Sequence, residues 1–310
     1  MKVGIAGAGM VGSAAGFALV LKGIATELVL VDIDEARARA EAEDIAHAVP
    51  FGDPVVVRHG EFADMAGADV VILACGVSQR PGESRLALLE RNTVVFRAVV
   101  GEVMAACPDA ILLVASNPVD IMGQVTQAIS GLPASRVIGS GTLLDTARFR
   151  WLLGRHLKIS PKSVHAYVLG EHGDSEVLAW SNARAGSVPL TEFAAQVGAP
   201  VTHHVQSAID SAVRNAAYTI IEGKGATWYG IGGGLARIVA AIGGDEQAVL
   251  SVSTVEPDVL GIRNVALSLP RLVGRGGVSA TLWPRLDPAE TEALRRSAEI
   301  LEERFSAMNP

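Results

Sequence analysis

The stretch Val3-Gly4-Ile5-Ala6-Gly7-Ala8-Gly9-Met10-Val11-Gly12 decides the fold. A short strand-like run enters a G-x-G-x-x-G turn, and an Ala-rich helical segment over 10–22 follows it. Each glycine has its own task in that setting. Gly7 permits the tight turn, Gly9 lets backbone approach a pyrophosphate, and Gly12 lets the helix pack on the strand. Unpaired N–H groups and the dipole at the helix N-terminus favour the anion. Asp32 stands twenty residues past Gly12, at the end of a second strand-like run. A carboxylate there accepts hydrogen bonds from a ribose diol. It also repels a 2′-phosphate, and Asp34 and Glu35 add negative charge, so NAD is expected over NADP. Gly7, Gly9, Met10, Val11, Gly12 and Asp32 are the candidate cofactor contacts.

Working outward, runs of consecutive apolar residues recur at Leu28–Val31, Val55–Val57, Val70–Leu73 and Ile111–Val114. Consecutive rather than alternating apolar residues fit strands buried on both faces, as in a parallel sheet. Helix-length segments at 35–48, 83–106 and 119–130 separate them. Strand–helix–strand alternation predicts an N-terminal Rossmann doubly wound parallel sheet. The C-terminal half reads as helices at 203–222 and 232–242, strands at Gln247–Thr254 and Asn264–Leu269, and a closing helix over 288–305. Asp287 is the expected N-cap of that helix, with Pro288 in its first turn. The fold class is therefore α/β: a Rossmann domain over 1–140, then an α+β substrate-binding and catalytic domain over 141–310.

Composition narrows the classes. The 310 residues carry 26 Lys+Arg against 33 Asp+Glu, a net charge of −7, which speaks against nucleic acid as a partner. Apolar residues at 49% suffice for a core, and aromatics at only 5% make that core aliphatic. Cys75 and Cys107 cannot build a disulfide framework, so a reducing, cytoplasmic setting is expected. The uncharged run 3–21 resembles a leader or a membrane span, but its five glycines make a poor one, and no membrane association is expected. G-x-S-x-G, C-x-x-C, H-E-x-x-H and Walker patterns are missing, which leaves hydrolase, zinc and nucleotidase readings without a motif. No metal site is expected.

Gly170-Glu171-His172-Gly173-Asp174-Ser175 sets a histidine between glycines, on open backbone that another body can approach. Asp145 and Arg148 are three apart in Leu144–Arg150 and share a face if that segment is helical. The acid can brace an imidazole while the guanidinium grips a carboxylate. An ordinary surface ion pair is the competing reading. Gly76–Arg85 follows the fourth strand and reads as a lid, and Ser116-Asn117-Pro118-Val119-Asp120 follows the fifth. Loops at these carboxyl ends are where such folds bind ligands.

With these motifs in this order, the sequence resembles the lactate/malate dehydrogenase family over nearly its whole length. The resemblance implies that His172 is the acid/base, that Asp145 orients it, and that Arg148 holds the substrate carboxylate. It implies that Arg85 polarises the C2 carbonyl, that Asn117 bonds near nicotinamide and substrate, and that Thr227 lines the pocket. The family's lactate enzymes carry Gln, and its malate enzymes Arg, six residues before the polarising Arg. Six before Arg85 is Gln79, which points to pyruvate and L-lactate as substrates. Arg80 is next to it, and a slipped loop would present it instead, which keeps malate or a broader 2-hydroxy acid open. The resemblance also places Arg150 and His165 where bacterial members bind fructose 1,6-bisphosphate across a subunit twofold, and it implies a homotetramer. A non-catalytic NAD-binding sensor is the reading from another class. It would have no need of His172, Asp145, Arg148 and Arg85 together.

Overall fold

Successive side chains of a strand point to opposite faces, so a strand that is apolar at every position must be covered on both. In the computed structural model, which describes residues 1–77, Gly82 and 85–308, with the backbone alone at Arg85, this is what happens. The N-terminal half runs β1 (Lys2–Ala6), α1 (Met10–Leu21), β2 (Glu27–Val31), α2 (Glu35–Ala46), β3 (Val56–His59), β4 (Val70–Leu73), α3 (Arg85–Ala106), β5 (Ile111–Val114), α4 (Val119–Ser130) and β6 (Val137–Gly139). Its strands lie in the order β3-β2-β1-β4-β5-β6, all parallel. Along β5, Leu112 and Val114 pack with Phe96 and Val103 of α3, while Ile111 and Leu113 face the opposite layer with Leu19 of α1. The strand order reverses between β1 and β4, and a crevice at the carboxyl ends of those strands is where doubly wound sheets take ligands. The glycine loop, the segment after β4 and Ser116–Asp120 all leave the sheet at that end.

The C-terminal half runs α5 (Leu143–Leu157), β7 (Val164–His165), β8 (Val168–Leu169), β9 (Val177–Leu178), β10 (Arg184–Ala185), β11 (Val188–Pro189), α6 (Leu190–Gln196), α7 (His203–Lys224), α8 (Tyr229–Gly243), β12 (Ala248–Val259), β13 (Ile262–Gly274), β14 (Gly277–Thr281) and α9 (Pro288–Ser306). The two long strands expected here exist, but they do not form a sheet of their own. β12 pairs antiparallel with β6 through Ser253 and Gly139, and β13 and β14 extend the N-terminal sheet to nine strands. α8 also returns to that sheet, packing Leu235 and Ile238 into the same layer as α1. A separate small core forms from α5, α7 and the short strands, around Phe149, Leu153, Val168 and Val213. The Asp287 cap is as expected: its carboxylate accepts the Glu290 N–H at 2.8 Å in a capping box.

Residues 3–21 become β1, the glycine loop and α1, and no helix among the described residues is long and apolar enough to cross a membrane.

Candidate active site

The glycine loop has the shape its sequence implies. Gly7 adopts φ +104°, and a Cβ there would lie 2.6 Å from the backbone of Ala74. A Cβ on Gly12 would overlap the Gly7 carbonyl oxygen. Gly9, by contrast, opens on free space at the start of the twelve-residue helix α1. The loop is thus closed where the chain needs contact and open where a pyrophosphate would come. Met10, 57% exposed, stands on that open side, Val11 follows it half-buried, and Gly12 is buried beneath them. Asp32 reaches back to the loop: its Oδ2 accepts the Ala8 N–H at 2.7 Å and its Oδ1 the Asp34 N–H at 2.9 Å. These groups fit a dinucleotide whose acidic ribose contact is a carboxylate.

His172 lies in the loop between β8 and β9. Gly170 starts that loop at φ +83°, exchanging two backbone hydrogen bonds of 2.9 Å with Ser268 on β13. A Cβ there would stand 2.6 Å from Ser297 Oγ, so only glycine allows the loop to lie against α9. Ser297 is fully buried, and its hydroxyl accepts the Glu171 N–H at 2.8 Å. Glu171 in turn accepts from the Ser175 hydroxyl and pairs with Arg304 of α9. The loop is therefore bound on both sides of His172.

Inside it, His172 Nδ1 meets Asp145 Oδ2 at 2.6 Å. The other oxygen of Asp145 accepts from Arg148 Nη1 at 2.7 Å. Asp145 and Arg148 do share a face of α5, and the carboxylate is 2% exposed, so this is not the weak surface ion pair that the spacing also allowed. Burial by itself would raise the Asp145 pKa, but the His172 and Arg148 cations on its two oxygens hold the carboxyl below its ordinary value. Burial likewise works against the His172 imidazolium. The charge and hydrogen bond of Asp145, with the charges of Asp120 and Glu176, outweigh it and push the imidazole up to about 9. With Nδ1 committed to Asp145, Nε2 is the nitrogen left to serve a bound molecule.

That molecule has a place. A cavity of about 500 Å³ is lined by His172, Asn117, Pro118, Leu89, Ile121 and Glu171 among others. Among the described residues, the expected contacts His172 and Asn117 line it, whereas Arg148 reaches the site through Asp145. Thr227 is half-buried between α7 and α8 and is not part of that lining. Gln79, Arg80 and the side chain of Arg85 lie outside the described residues, as does most of the expected lid. Arg85 opens α3 beside the cavity-lining turn Leu86–Leu89. Arg150 donates from Nε to the Ala166 carbonyl at 2.8 Å and stacks over Tyr167, and exposed His165 precedes them on β7.

Three buried groups at the site escape a reading of motifs. Asp120 is quoted in its motif, but nothing in its spacing ties it to His172, whose backbone N–H its Oδ2 accepts at 2.7 Å. Glu176 is 5% exposed with one oxygen unpartnered among the described residues, and burial together with the charge of Asp145 raises it to about 8. Ser297 lies more than a hundred residues from the loop it holds.

A doubly wound α/β sheet with a dinucleotide-type glycine loop, and a buried histidine–carboxylate pair whose histidine lines an adjacent cavity, fits a nicotinamide-dependent oxidoreductase. Residues 1–139 match the model of the lactate/malate dehydrogenase NAD-binding domain, and residues 142–309 that family's alpha/beta C-terminal domain. The chain belongs to the lactate/malate dehydrogenase family. It is 62% identical to an L-lactate dehydrogenase of Allorhizobium ampelinum, over 98% of each chain. It is 59% identical to one of Thermus aquaticus, over 99% of each. A lactate dehydrogenase from a deep-sea metagenome library superposes with a TM-score of 0.96 at 40% identity, covering 100% of this chain and 99% of that one.

Proposed function

We propose that this chain is an L-lactate dehydrogenase, converting L-lactate and pyruvate reversibly with His172 as the acid/base. The observation that carries the mechanism is the buried Asp145–His172 contact facing the cavity. The similarity to L-lactate dehydrogenases supports the choice of substrate. When bound, NAD supplies the hydride acceptor for the carbon bearing the hydroxyl. His172 takes the hydroxyl proton at Nε2 during oxidation and returns it to the carbonyl oxygen during reduction. Asp145 holds the ring tautomer and stabilises the imidazolium. Arg148 grips the substrate carboxylate, Arg85 stabilises charge on the C2 oxygen, and Asn117 lines the pocket, with Thr227 reaching it only once substrate is bound. Gln79 is the neutral residue that this reading assigns to selection for the methyl group. In this reading residues 1–140 carry the cofactor and 141–310 the substrate.

The test is NADH oxidation with pyruvate and with oxaloacetate, compared by kcat/KM. A strong preference for pyruvate is expected, because a second carboxylate facing a neutral amide is desolvated without a partner. A preference for oxaloacetate would instead put Arg80 against the substrate and make the chain a malate enzyme.

Regulation belongs to the same proposal. Arg150 and His165 bind fructose 1,6-bisphosphate at a subunit twofold of a homotetramer, where symmetry doubles the cationic pocket. The effector is expected to lower the KM for pyruvate, and Arg150→Gln to remove that response while leaving the uneffected rate in place. Saturation curves unmoved by the effector in the parent chain would reject the site. Two unpaired thiols, Cys75 and Cys107, suit action in the cytoplasm.

A further inference from the structure

Asp120 is a buried carboxylate that caps no helix. It stands in the first turn of α4 at 2% exposure, yet α4 has no side-chain cap at its N-terminus. Its Oδ1 is buried and makes no hydrogen bond of ordinary geometry among the described residues, the Ser253 hydroxyl of β12 being the polar group that approaches it. A buried, half-satisfied carboxylate is costly to fold, and such costs collect at functional sites. The one hydrogen bond that Oδ2 does make is to the backbone N–H of His172.

We propose that Asp120 is a positioning residue for His172. It anchors the peptide from the α4 side while Asp145 anchors the ring from α5, and its charge joins that of Asp145 on the imidazolium. This rests on the reading of His172 as the acid/base. Among the described residues, the charged groups around the ring are Asp145 and Arg148 on α5, Asp120 on α4 and Glu176 on the ring's own loop, with Arg214 of α7 behind Glu176. Glu171 and the Ser253 hydroxyl of β12 are the further groups facing Asp120. Burial, and the charge of Glu171 beside it, raise Asp120 to about 6, so it is ionised across the range in which the ring would give up its proton.

The two functions separate by substitution. Asp120→Asn keeps an acceptor for the peptide N–H but removes the charge, whereas Asp120→Ala removes both. The readout is carbethoxylation of His172 by diethyl pyrocarbonate across pH, followed by mass spectrometry of its peptide, beside the pH profile of kcat/KM. Only the neutral ring reacts. In Asp120→Asn the pH at which His172 becomes reactive is expected to fall by about one unit, with kcat at low pH kept. In Asp120→Ala, kcat is expected to fall about 100-fold as the ring loses its placement, with NADH affinity unchanged. A burial role without electrostatic contact would leave the Asp120→Asn titration where the parent has it, and that result would overturn the proposal whether or not Asp120→Ala folds. Modified His172 with full turnover would instead overturn the acid/base reading itself.

Discussion

Replacing His172 by Gln is expected to lower kcat in both directions by about 10²–10⁴-fold. Gln matches the reach of the ring but cannot carry a proton. NADH affinity, read by fluorescence titration, is expected to stay at the parent value, because the proposed cofactor contacts, the glycine loop and Asp32, do not involve this side chain. The parent pH profile is expected to report the same group. Its pKa is raised from 6.5 to about 9, so the folded site keeps the proton that a free imidazole would have lost. With His172 as the proposed acid, pyruvate reduction would consume that proton and is expected to decline as pH rises through about 9. Lactate oxidation needs the vacant nitrogen and is expected to rise through the same value. Both limbs should vanish from the His172→Gln profile. A variant that retains the parent rate and limbs would remove His172 from the mechanism.

The second large effect is expected at Arg148. Replacing one partner of a buried, hydrogen-bonded charge pair costs about 2–5 kcal/mol, or roughly 30- to several-thousand-fold in an equilibrium. Arg148→Lys is the informative change, because it keeps the charge and loses the planar fork. A lysine ammonium meets a carboxylate as a point charge and cannot hold two oxygens in one plane. The KM for pyruvate is therefore expected to rise much further than kcat falls. Asp145 also loses its partner at 2.7 Å, and the His172 limb of the profile is expected to move with it. An unchanged KM with a displaced pH limb would mean that Arg148 serves Asp145 alone and that the substrate carboxylate is held elsewhere.

The two variants bear on parts of the molecule that were unequally visible in the chain. The glycine loop, Asp32 and the six parallel strands are local signals. A buried parallel strand must be apolar on both faces, and a turn that carries a pyrophosphate must dispense with side chains at fixed positions. Those demands act within about thirty residues, so they are written into consecutive sequence. The cap at Asp287 is of the same kind. His172 with its flanking glycines, and Asp145 with Arg148 three residues on, were visible as separate short motifs. The sequence allows the contacts of Asp145 with the imidazole and with the guanidinium as alternatives, and that they occur together on one buried carboxylate is not legible in it.

What lay beyond sequence is what depends on distant segments meeting. The strands of 248–281 look like any half-buried antiparallel set, and no local pattern says that they extend the first sheet through the contact of Ser253 with Gly139. Asp120 looks like an ordinary residue of a helix first turn until β8 and β9 bring the His172 peptide onto it. Ser297 and Arg304 lie in an amphipathic helix whose sequence explains itself, and their tie to Glu171 is decided only when α9 docks.

By itself, then, the chain determined which elements form, which family it belongs to, and which glycine loop, histidine, acid and arginine are proposed for cofactor and chemistry. Tertiary structure decided their electrostatics. Side-chain identity gives a pKa near its free value, whereas burial and the charges brought against it move His172 upward and Asp145 downward, and neither exists before the chain has packed.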